Sequence, residues 1–172
     1  MPVDTSEKDL EAIIEAKLVG EFEEQATEPA LEYDVSQYTP GGYRKRAPKD
    51  YNRERCLIPD DLFDFVVATQ PGEWRKLKEQ FGTDAKDRFV KHVHQEIEKR
   101  GTLNVLRRGV RIFGARFKLI YFKPSTSRNP DLQEKYRANV FSVVRQLPYS
   151  LDSGHTLDLG LFLNGLPLFT AE

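Results

Sequence analysis

An Asn-Gly pair near residue 165 is the feature that most constrains the fold of this chain. Asn164-Gly165 separates two largely apolar runs, residues 157–163 and 166–172. Both residues accept the left-handed backbone that a two-residue hairpin turn needs, so Asn-Gly between hydrophobic runs is a strong β-hairpin signal. The pattern therefore predicts a hairpin made of these two runs.

Two carboxylates interrupt the predicted hairpin. Asp158 lies in its first strand and Glu172 ends its second. Acidic residues are depleted from strand interiors, and a buried carboxylate needs an ion pair, a hydrogen bond or a metal. Paired carboxylates are hard oxygen ligands suited to Mg²⁺. Asp158 and Glu172 are therefore candidate metal ligands; alternatively, Asp158 is a frayed strand entry and Glu172 only a chain end.

The turn geometry decides whether the two carboxylates can share one ion. A two-residue turn pairs Asp158 with Ala171 and sends Glu172 to the opposite face of the sheet. A three-residue loop pairs Asp158 with Thr170, which leaves Glu172 one diagonal step away on the same face. A shared metal therefore predicts the longer loop, or else a β-bulge near Pro167.

Composition narrows the class of protein. A chain of 172 residues that is 39% hydrophobic is expected to form about one domain with a sizeable core. The single cysteine, Cys56, excludes an internal disulfide and a thiolate zinc site, which fits a reducing cytoplasm. No apolar stretch approaches the roughly 20 residues that span a bilayer, and the acidic N-terminus lacks a signal-peptide core. We expect a cytoplasmic protein without a membrane partner.

A net charge of −1 hides a strong asymmetry along the chain. Residues 1–34 are acidic, whereas Tyr43–Arg55 and Lys99–Lys123 are basic. Clustered Lys and Arg indicate a polyanion such as nucleic acid, or else a solvated surface. We interpret Tyr43–Arg55 as a surface loop in preference to a segment that tracks a DNA backbone.

Four arginines of the second basic stretch are the best candidates for phosphate contacts. They are Arg107, Arg108, Arg111 and Arg116. Such contacts position DNA without reading its sequence. The alternatives are a solvated face or ion pairs with the acidic N-terminus.

Helical periodicity is clearest at the start of the chain and after residue 58. Ser6–Leu18 is predicted to form a helix whose apolar stripe, including Leu10, Ile13 and Ile14, faces the core. Glu7, Glu11 and Glu15 recur every four residues and are interpreted as a solvated face. Three further helices are predicted to start at Pro59, at Pro71 and at Thr83-Asp84, the last of them ending at Gly101.

Strands dominate the rest of the chain. Arg111–Phe122 is predicted as one strand with a bulge or tight bend at Gly114, and Val140–Leu147 as another. A short helix from Asn129-Pro130 to about Ala138 separates them. The order predicts an α/β protein with an α+β-like arrangement, in which an inserted helical block (about 59–108) precedes the strands (about 111–172).

Several segments together resemble a known family. They are the closing hairpin with Asp158 and Glu172, the run from Arg100 to Val110, Phe122-Lys123-Pro124, and the run from Arg145 to Ser150. In this order they resemble the nuclease domain of the motor (R) subunit of type I restriction enzymes, a member of the PD-(D/E)XK superfamily. The resemblance implies a restriction-endonuclease-like mixed sheet flanked by helices.

The resemblance also implies roles for individual residues. The family pattern is an aspartate at the start of a strand, a hairpin, and Glu-x-Lys on the next strand. Asp158 and Glu172 would be the catalytic metal ligands for Mg²⁺-dependent hydrolysis of DNA phosphodiesters. The first helix of the superfamily often adds a carboxylate, for which Glu11 is favoured over Glu7. Asp152 is interpreted as a turn residue, not a rival ligand.

The intact subunit implied by this resemblance is a type I site-specific deoxyribonuclease. It would translocate double-stranded DNA with ATP, bound by motor domains absent from this chain, and would join modification and specificity subunits. The family lysine, two positions after the glutamate, has no counterpart here. We therefore expect residues 1–172 to form a single, C-terminally truncated nuclease domain with an incomplete core, inactive in isolation; the alternative is a non-catalytic DNA-binding or subunit-docking fragment.

Overall fold

The computed structural model describes residues 7–20, 42–125 and 128–172. Within them the helices are α1 Glu7–Val19, α2 Pro59–Thr69, α3 Pro71–Phe81, α4 Ala85–Arg100, α5 Thr102–Arg108 and α6 Pro130–Arg137. The strands are β1 Arg44–Arg46, β2 Val110–Ile112, β3 Ala115–Phe117, β4 Phe141–Pro148, β5 Thr156–Leu163 and β6 Leu166–Ala171. The predicted α/β class is confirmed. Ser6, where the first helix is predicted to begin, lies outside the described residues.

A four-stranded mixed sheet in the order β1-β4-β5-β6 forms the centre of the fold. β1 runs parallel to β4, and the other neighbours are antiparallel. Successive residues of a strand point to opposite faces. Lys45 of β1 contacts Glu15 of α1, whereas Arg44 and Arg46 contact Asp61 of α2. α1 and α2 therefore cover opposite faces of the sheet.

The larger hydrophobic core lies in the predicted helical block. Leu62, Phe65 and Val66 of α2 follow helical spacing and are fully or almost fully buried. They pack with apolar side chains of α3, α4, α5, β2 and β3. The helix starts at Pro59 and Pro71 are confirmed, since proline suits the first turn, where its missing N–H would have no helical partner.

The segment predicted as one strand from residue 111 is a separate hairpin. β2 and β3 pair antiparallel through Arg111↔Arg116 and Ile112↔Ala115. The chain reverses at Phe113-Gly114, where φ is 44° and 84°. The tight-bend interpretation of Gly114 is therefore right, while the single long strand is wrong. This two-stranded unit is called the β2–β3 ribbon below.

The orientation predicted for the first helix is wrong. Glu11 and Glu15 are only 5% exposed, whereas Leu10 is 60% exposed and Ile13 and Ile14 are more than a third exposed. The reason is electrostatic: the sheet face under α1 presents basic and amide side chains from β1 and β4, which bind the carboxylates.

The surface-loop interpretation of Tyr43–Arg55 is also wrong. This stretch contains β1 and a short 3-10 helix, Pro48–Asp50. Arg53 donates to the carbonyl of Ser150 at 2.8 Å, and Arg55 pairs with Asp87 at 2.7 Å. These arginines are committed to internal contacts. In the part of the chain that the structure covers, no helix is long and apolar enough to cross a bilayer.

Candidate metal and DNA-binding site

The hairpin that carries the two candidate carboxylates closes through a tight two-residue turn. Leu163 pairs with Leu166, and Asn164 and Gly165 have φ of 51° and 79°. A Cβ on Gly165 would collide with the carbonyl oxygen of Ile58, so this position also needs glycine for space. The predicted hairpin is confirmed, and its alternative three-residue loop does not form.

A β-bulge follows the turn on β6. Phe162 pairs with Pro167, but the next pair is Leu161↔Phe169, so Leu168 is an extra residue. Pro167 has no N–H to donate to the ladder, and proline in a sheet occurs at edges and bulges. The predicted bulge near Pro167 is therefore confirmed.

The bulge corrects the register of the two carboxylates. After it, Leu159 pairs with Ala171, so one further step places Asp158 opposite Glu172. Directly opposite residues of antiparallel strands have Cβ atoms about 4.5–5.5 Å apart. Asp158 is half-buried and Glu172 is exposed. The arrangement is the one that a shared metal ion requires of the hairpin.

The donor set offered here suits Mg²⁺ in particular. Mg²⁺ keeps several waters and commonly binds through one or two carboxylates together with substrate phosphates. Among the residues that the structure describes, no three His, Cys, Asp or Glu side chains are grouped closely enough to form a metal cage. Asp158 and Glu172 would therefore hold an ion as a pair, leaving most of its coordination sphere open.

Glu11 of α1 lies over β4 and contacts two of its residues. Its two carboxylate oxygens accept hydrogen bonds from Nε2 of Gln146 at 3.1 and 2.9 Å, and Arg145 lies 3.5 Å away. Gln146 falls between the pairs Arg145↔Leu159 and Leu147↔Leu157, so the register sets it opposite Asp158. Gln146, Asp158 and Glu172 are thus neighbours in the register of the sheet. Glu11 reaches this row only through its contacts with Gln146 and Arg145, and among the described residues it does not form a group of three carboxylates with Asp158 and Glu172. Of Glu7 only the backbone is described.

Gln146 is a residue that sequence reasoning missed. Its φ of 49° is left-handed, which is uncommon for a non-glycine residue in a strand. Consecutive residues Arg145 and Gln146 both reach Glu11, so the usual alternation of faces is broken here. Oε1 of Gln146 also accepts from the Thr156 hydroxyl at 3.0 Å. In the sequence, Gln146 is an ordinary polar residue of an amphipathic strand, so its contact with Glu11 could not be predicted.

The four candidate phosphate-binding arginines are all exposed and lie on adjoining elements. Arg107 and Arg108 end α5 beside an open cleft of about 540 Å³, and Arg111 and Arg116 are cross-strand partners on the β2–β3 ribbon. Within the described ranges none of the four forms an ion pair with a carboxylate. The alternative of pairing to the acidic N-terminus is thus not seen there.

One acidic side chain lies next to this basic surface. The carboxylate of Glu73 accepts the backbone N–H of Arg116 at 2.8 Å. Hydrogen bonds from the Lys76 ammonium and then from that backbone N–H lower the pKa of Glu73. Glu73 therefore remains charged and fixes the backbone of β3, while the Arg116 guanidinium stays exposed.

Asp152 lies in an exposed turn, as interpreted from sequence. The hydroxyl of Ser150 accepts the backbone N–H groups of Asp152 and Ser153 at 3.3 and 3.1 Å. Such local side-chain bonds are typical of turns.

Comparison with known proteins identifies the family. No curated protein and no solved structure matches the chain significantly. The sequence model of the family described as "Type I restriction enzyme R protein N terminus" matches residues 51–172. This span contains α2–α6, β2–β6, both candidate carboxylates and the four arginines. The chain therefore belongs to the family of type I restriction enzyme R protein N-termini.

Proposed function

We propose that this N-terminal region is the endonuclease part of its R subunit, which hydrolyses DNA phosphodiester bonds with Mg²⁺. Asp158 and Glu172 would be the ligands of the ion. The observation that carries this proposal is the bulge after Pro167, because it changes the register by one residue. Continued one residue beyond the pair Leu159↔Ala171, that register brings Asp158 and Glu172 opposite each other.

Mg²⁺ and the side chains of this chain would have different roles in the reaction. When bound, Mg²⁺ would polarise the scissile phosphate and activate a water molecule for attack. Asp158 and Glu172 would orient the ion, and the exposure of Glu172 leaves room for a phosphate to reach it. Gln146, opposite Asp158 in the register, would hold Glu11 over β4.

The exposed arginines would hold the DNA. Like charges directly opposite on antiparallel strands are destabilising, and Arg111 and Arg116 are such a pair. A phosphate between them would remove the repulsion. Contacts of this kind provide affinity independent of sequence, which suits a nuclease that cuts non-specifically. If the metal pair proves inactive, the same surface supports the second candidate function, a non-catalytic DNA-binding module.

The wider activity belongs to the intact R subunit. We propose that it is a cytoplasmic protein that couples cleavage to ATP-driven translocation of double-stranded DNA, and that it assembles with modification and specificity subunits. The family membership of residues 51–172 supports this assignment.

The test is Asp158→Asn in an R subunit that carries this region, assayed for cleavage with increasing Mg²⁺. We expect cleavage to fall by at least about 100-fold, or about 2.7 kcal/mol of transition-state stabilisation, while DNA binding persists. Asp152→Asn, in the exposed turn, is the matched control and should retain activity. Cleavage by Asp158→Asn within about threefold of wild type would contradict the metal role.

A second readout does not depend on activity. Calorimetric titration of Mg²⁺ or Mn²⁺ into residues 1–172 should give weaker binding for Asp158→Asn and for Glu172→Gln than for wild type. Equal binding by all three proteins would place the metal elsewhere.

A further inference from the structure

The tip of the β2–β3 ribbon combines features that its role in the fold does not require. Val110, Ile112, Ala115 and Phe117 point into the core and are at most 4% exposed. Phe113, at the turn, is 65% exposed. An aromatic ring at the end of the ribbon therefore contributes far less burial than the neighbouring apolar residues do.

The backbone of Phe113 makes its identity more unusual. Phe113 and Gly114 have φ of 44° and 84°, so both occupy the left-handed region. The first position of such a turn is normally Asn, Asp or Gly, because bulky side chains are strained there. The chain thus keeps an exposed aromatic residue where an asparagine would fit the turn better. A ligand for the ring would explain this choice.

The ribbon is held rigidly in place. The carbonyl of Arg111 is hydrogen-bonded to Nε2 of His92 at 2.8 Å, and Glu73 holds the N–H of Arg116. The Phe113 ring meets the Phe81 ring edge-on, with centroids 4.8 Å apart, which fixes its direction. A preorganised side chain loses little freedom on binding.

The charges beside the ring indicate the chemistry of its partner. Arg111 lies two residues before Phe113, about 7 Å along a strand, and Arg116 is opposite Arg111. Guanidinium groups next to an exposed aromatic ring are the combination that binds unstacked nucleic acid, with phosphates on the cations and a base on the ring. An apolar protein surface would not match this positive charge.

We propose that the Phe113 tip of the β2–β3 ribbon stacks on an unpaired base of DNA while Arg111 and Arg116 bind the flanking phosphates. The site would favour DNA with a single-stranded or locally opened segment over a perfect duplex. It shares with the proposed function only the phosphate contacts of the arginines, and it is independent of the metal pair.

The experiment compares two labelled DNA molecules by fluorescence anisotropy with residues 1–172. One is a perfect duplex and the other is the same duplex with a single unpaired base. We expect wild type to bind the second more tightly. Phe113→Asn should lower that affinity by about 5- to 150-fold, the range for losing one base–aromatic stack, and change binding to the perfect duplex by less than about twofold. Phe113→Tyr keeps a ring and should keep the preference.

Three further measurements check folding, the specificity of the aromatic contact and the phosphate contacts. Asparagine tolerates positive φ, so the thermal unfolding midpoint of Phe113→Asn should equal or exceed that of wild type. Leu151→Asn replaces a residue of similar exposure, 63%, in the loop between β4 and β5 and is the matched control. Arg111→Gln should reduce the slope of log affinity against log salt by about 0.7–1 for both DNA molecules.

The proposal is overturned if Phe113→Asn leaves the preference unchanged, if Leu151→Asn weakens binding as much, or if wild type binds both DNA molecules equally. If residues 1–172 bind neither DNA molecule, both the ribbon proposal and the proposed phosphate contacts are refuted. A preference that persists in an Asp158→Asn protein without nuclease activity supports the ribbon proposal. If wild type prefers the DNA with an unpaired base but Mg²⁺ does not bind to Asp158 and Glu172, only the proposed metal site is refuted.

Discussion

Replacement of Asn164 by glycine tests how the closing hairpin is anchored. Asn164 is fully buried although it occupies a hairpin turn, and its φ is 51°. Its Oδ1 accepts the N–H of Val140 at 2.7 Å, and its Nδ2 donates to the carbonyl of Leu119 at 2.8 Å. Glycine adopts positive φ without strain, so Asn164→Gly removes these bonds while preserving the turn.

The expected loss follows from the groups left behind. Val140 N–H and Leu119 C=O would both lose their side-chain partner in a buried site. Each buried group without a partner costs about 1–3 kcal/mol, so the free energy of unfolding should fall by about 2–6 kcal/mol. The bond from Asn164 to Asn139 is a smaller loss, because the Asn139 Oδ1 also accepts from the N–H of Tyr121. The total free energy of unfolding of a natural domain is about 5–15 kcal/mol.

The chain contains its own control, since Phe113-Gly114 is a turn with the same left-handed backbone in an exposed place. Phe113→Gly also introduces glycine, which similarly raises the conformational entropy of the unfolded chain. Unlike Asn164→Gly, it breaks no side-chain hydrogen bond. It should change stability by about 1 kcal/mol or less, because relief of backbone strain offsets loss of the Phe81 contact. Urea unfolding measures both variants. A difference of less than about 1 kcal/mol between them would refute the anchoring role of Asn164.

Two further predictions concern buried polar groups near the sheet. Asp61→Ala removes the fully buried carboxylate shared by Arg44 and Arg46, and should cost about 3–5 kcal/mol in urea unfolding; Asp64→Ala, whose carboxylate is 55% exposed, should cost less than about 1 kcal/mol, and equal losses would contradict the role of burial. Burial raises the pKa of the Tyr51 phenol, so the unfolded chain releases this proton first; the contribution of Tyr51 to stability is complete below about pH 10 and falls as pH rises further. Urea midpoints between pH 9 and 11 should therefore fall more steeply for wild type than for Tyr51→Phe, and parallel profiles would contradict this.

Local sequence signals predicted the elements whose chemistry is local. Proline at Pro59 and Pro71 starts helices because of its fixed φ and missing N–H, and Asn129 caps α6 by accepting the N–H of Leu132. Asn164-Gly165 predicted the hairpin for the same kind of reason. The bulge near Pro167 was predicted only as a condition for metal binding, not from the strand pattern itself.

Features that depend on distant partners could not be read in this way. The carboxylates of α1 face inward because Lys45 and Arg145 lie beneath them, and nothing near Glu11 or Glu15 in the sequence reports those cations. The β2–β3 ribbon was read as one strand because phenylalanine at its turn contradicts ordinary turn chemistry. Gln146 gave no signal, since its left-handed backbone accompanies hydrogen bonds to Glu11 of α1 and Thr156 of β5, which lie far from it in sequence or on another strand.

Four of these failures of local rules lie where function is proposed, whereas the left-handed Cys56, with φ of 53°, and the stretch Tyr43–Arg55 lie elsewhere. Natural sequences are mostly consistent with their local structure, and the exceptions persist where something other than stability selects them. Two exceptions, the left-handed Gln146 and the bulge after Pro167, lie on the strands that flank Asp158 of β5. A third, the inverted face of α1, contacts β4 through Gln146 and Arg145. The fourth, Phe113, stands between two exposed arginines at the ribbon tip. A purely structural origin would scatter such exceptions through the larger helical core, yet the helices of that core that sequence predicted have ordinary apolar faces. The distribution therefore favours two functional surfaces, one for a metal ion and one for DNA, built on a conventional helical support.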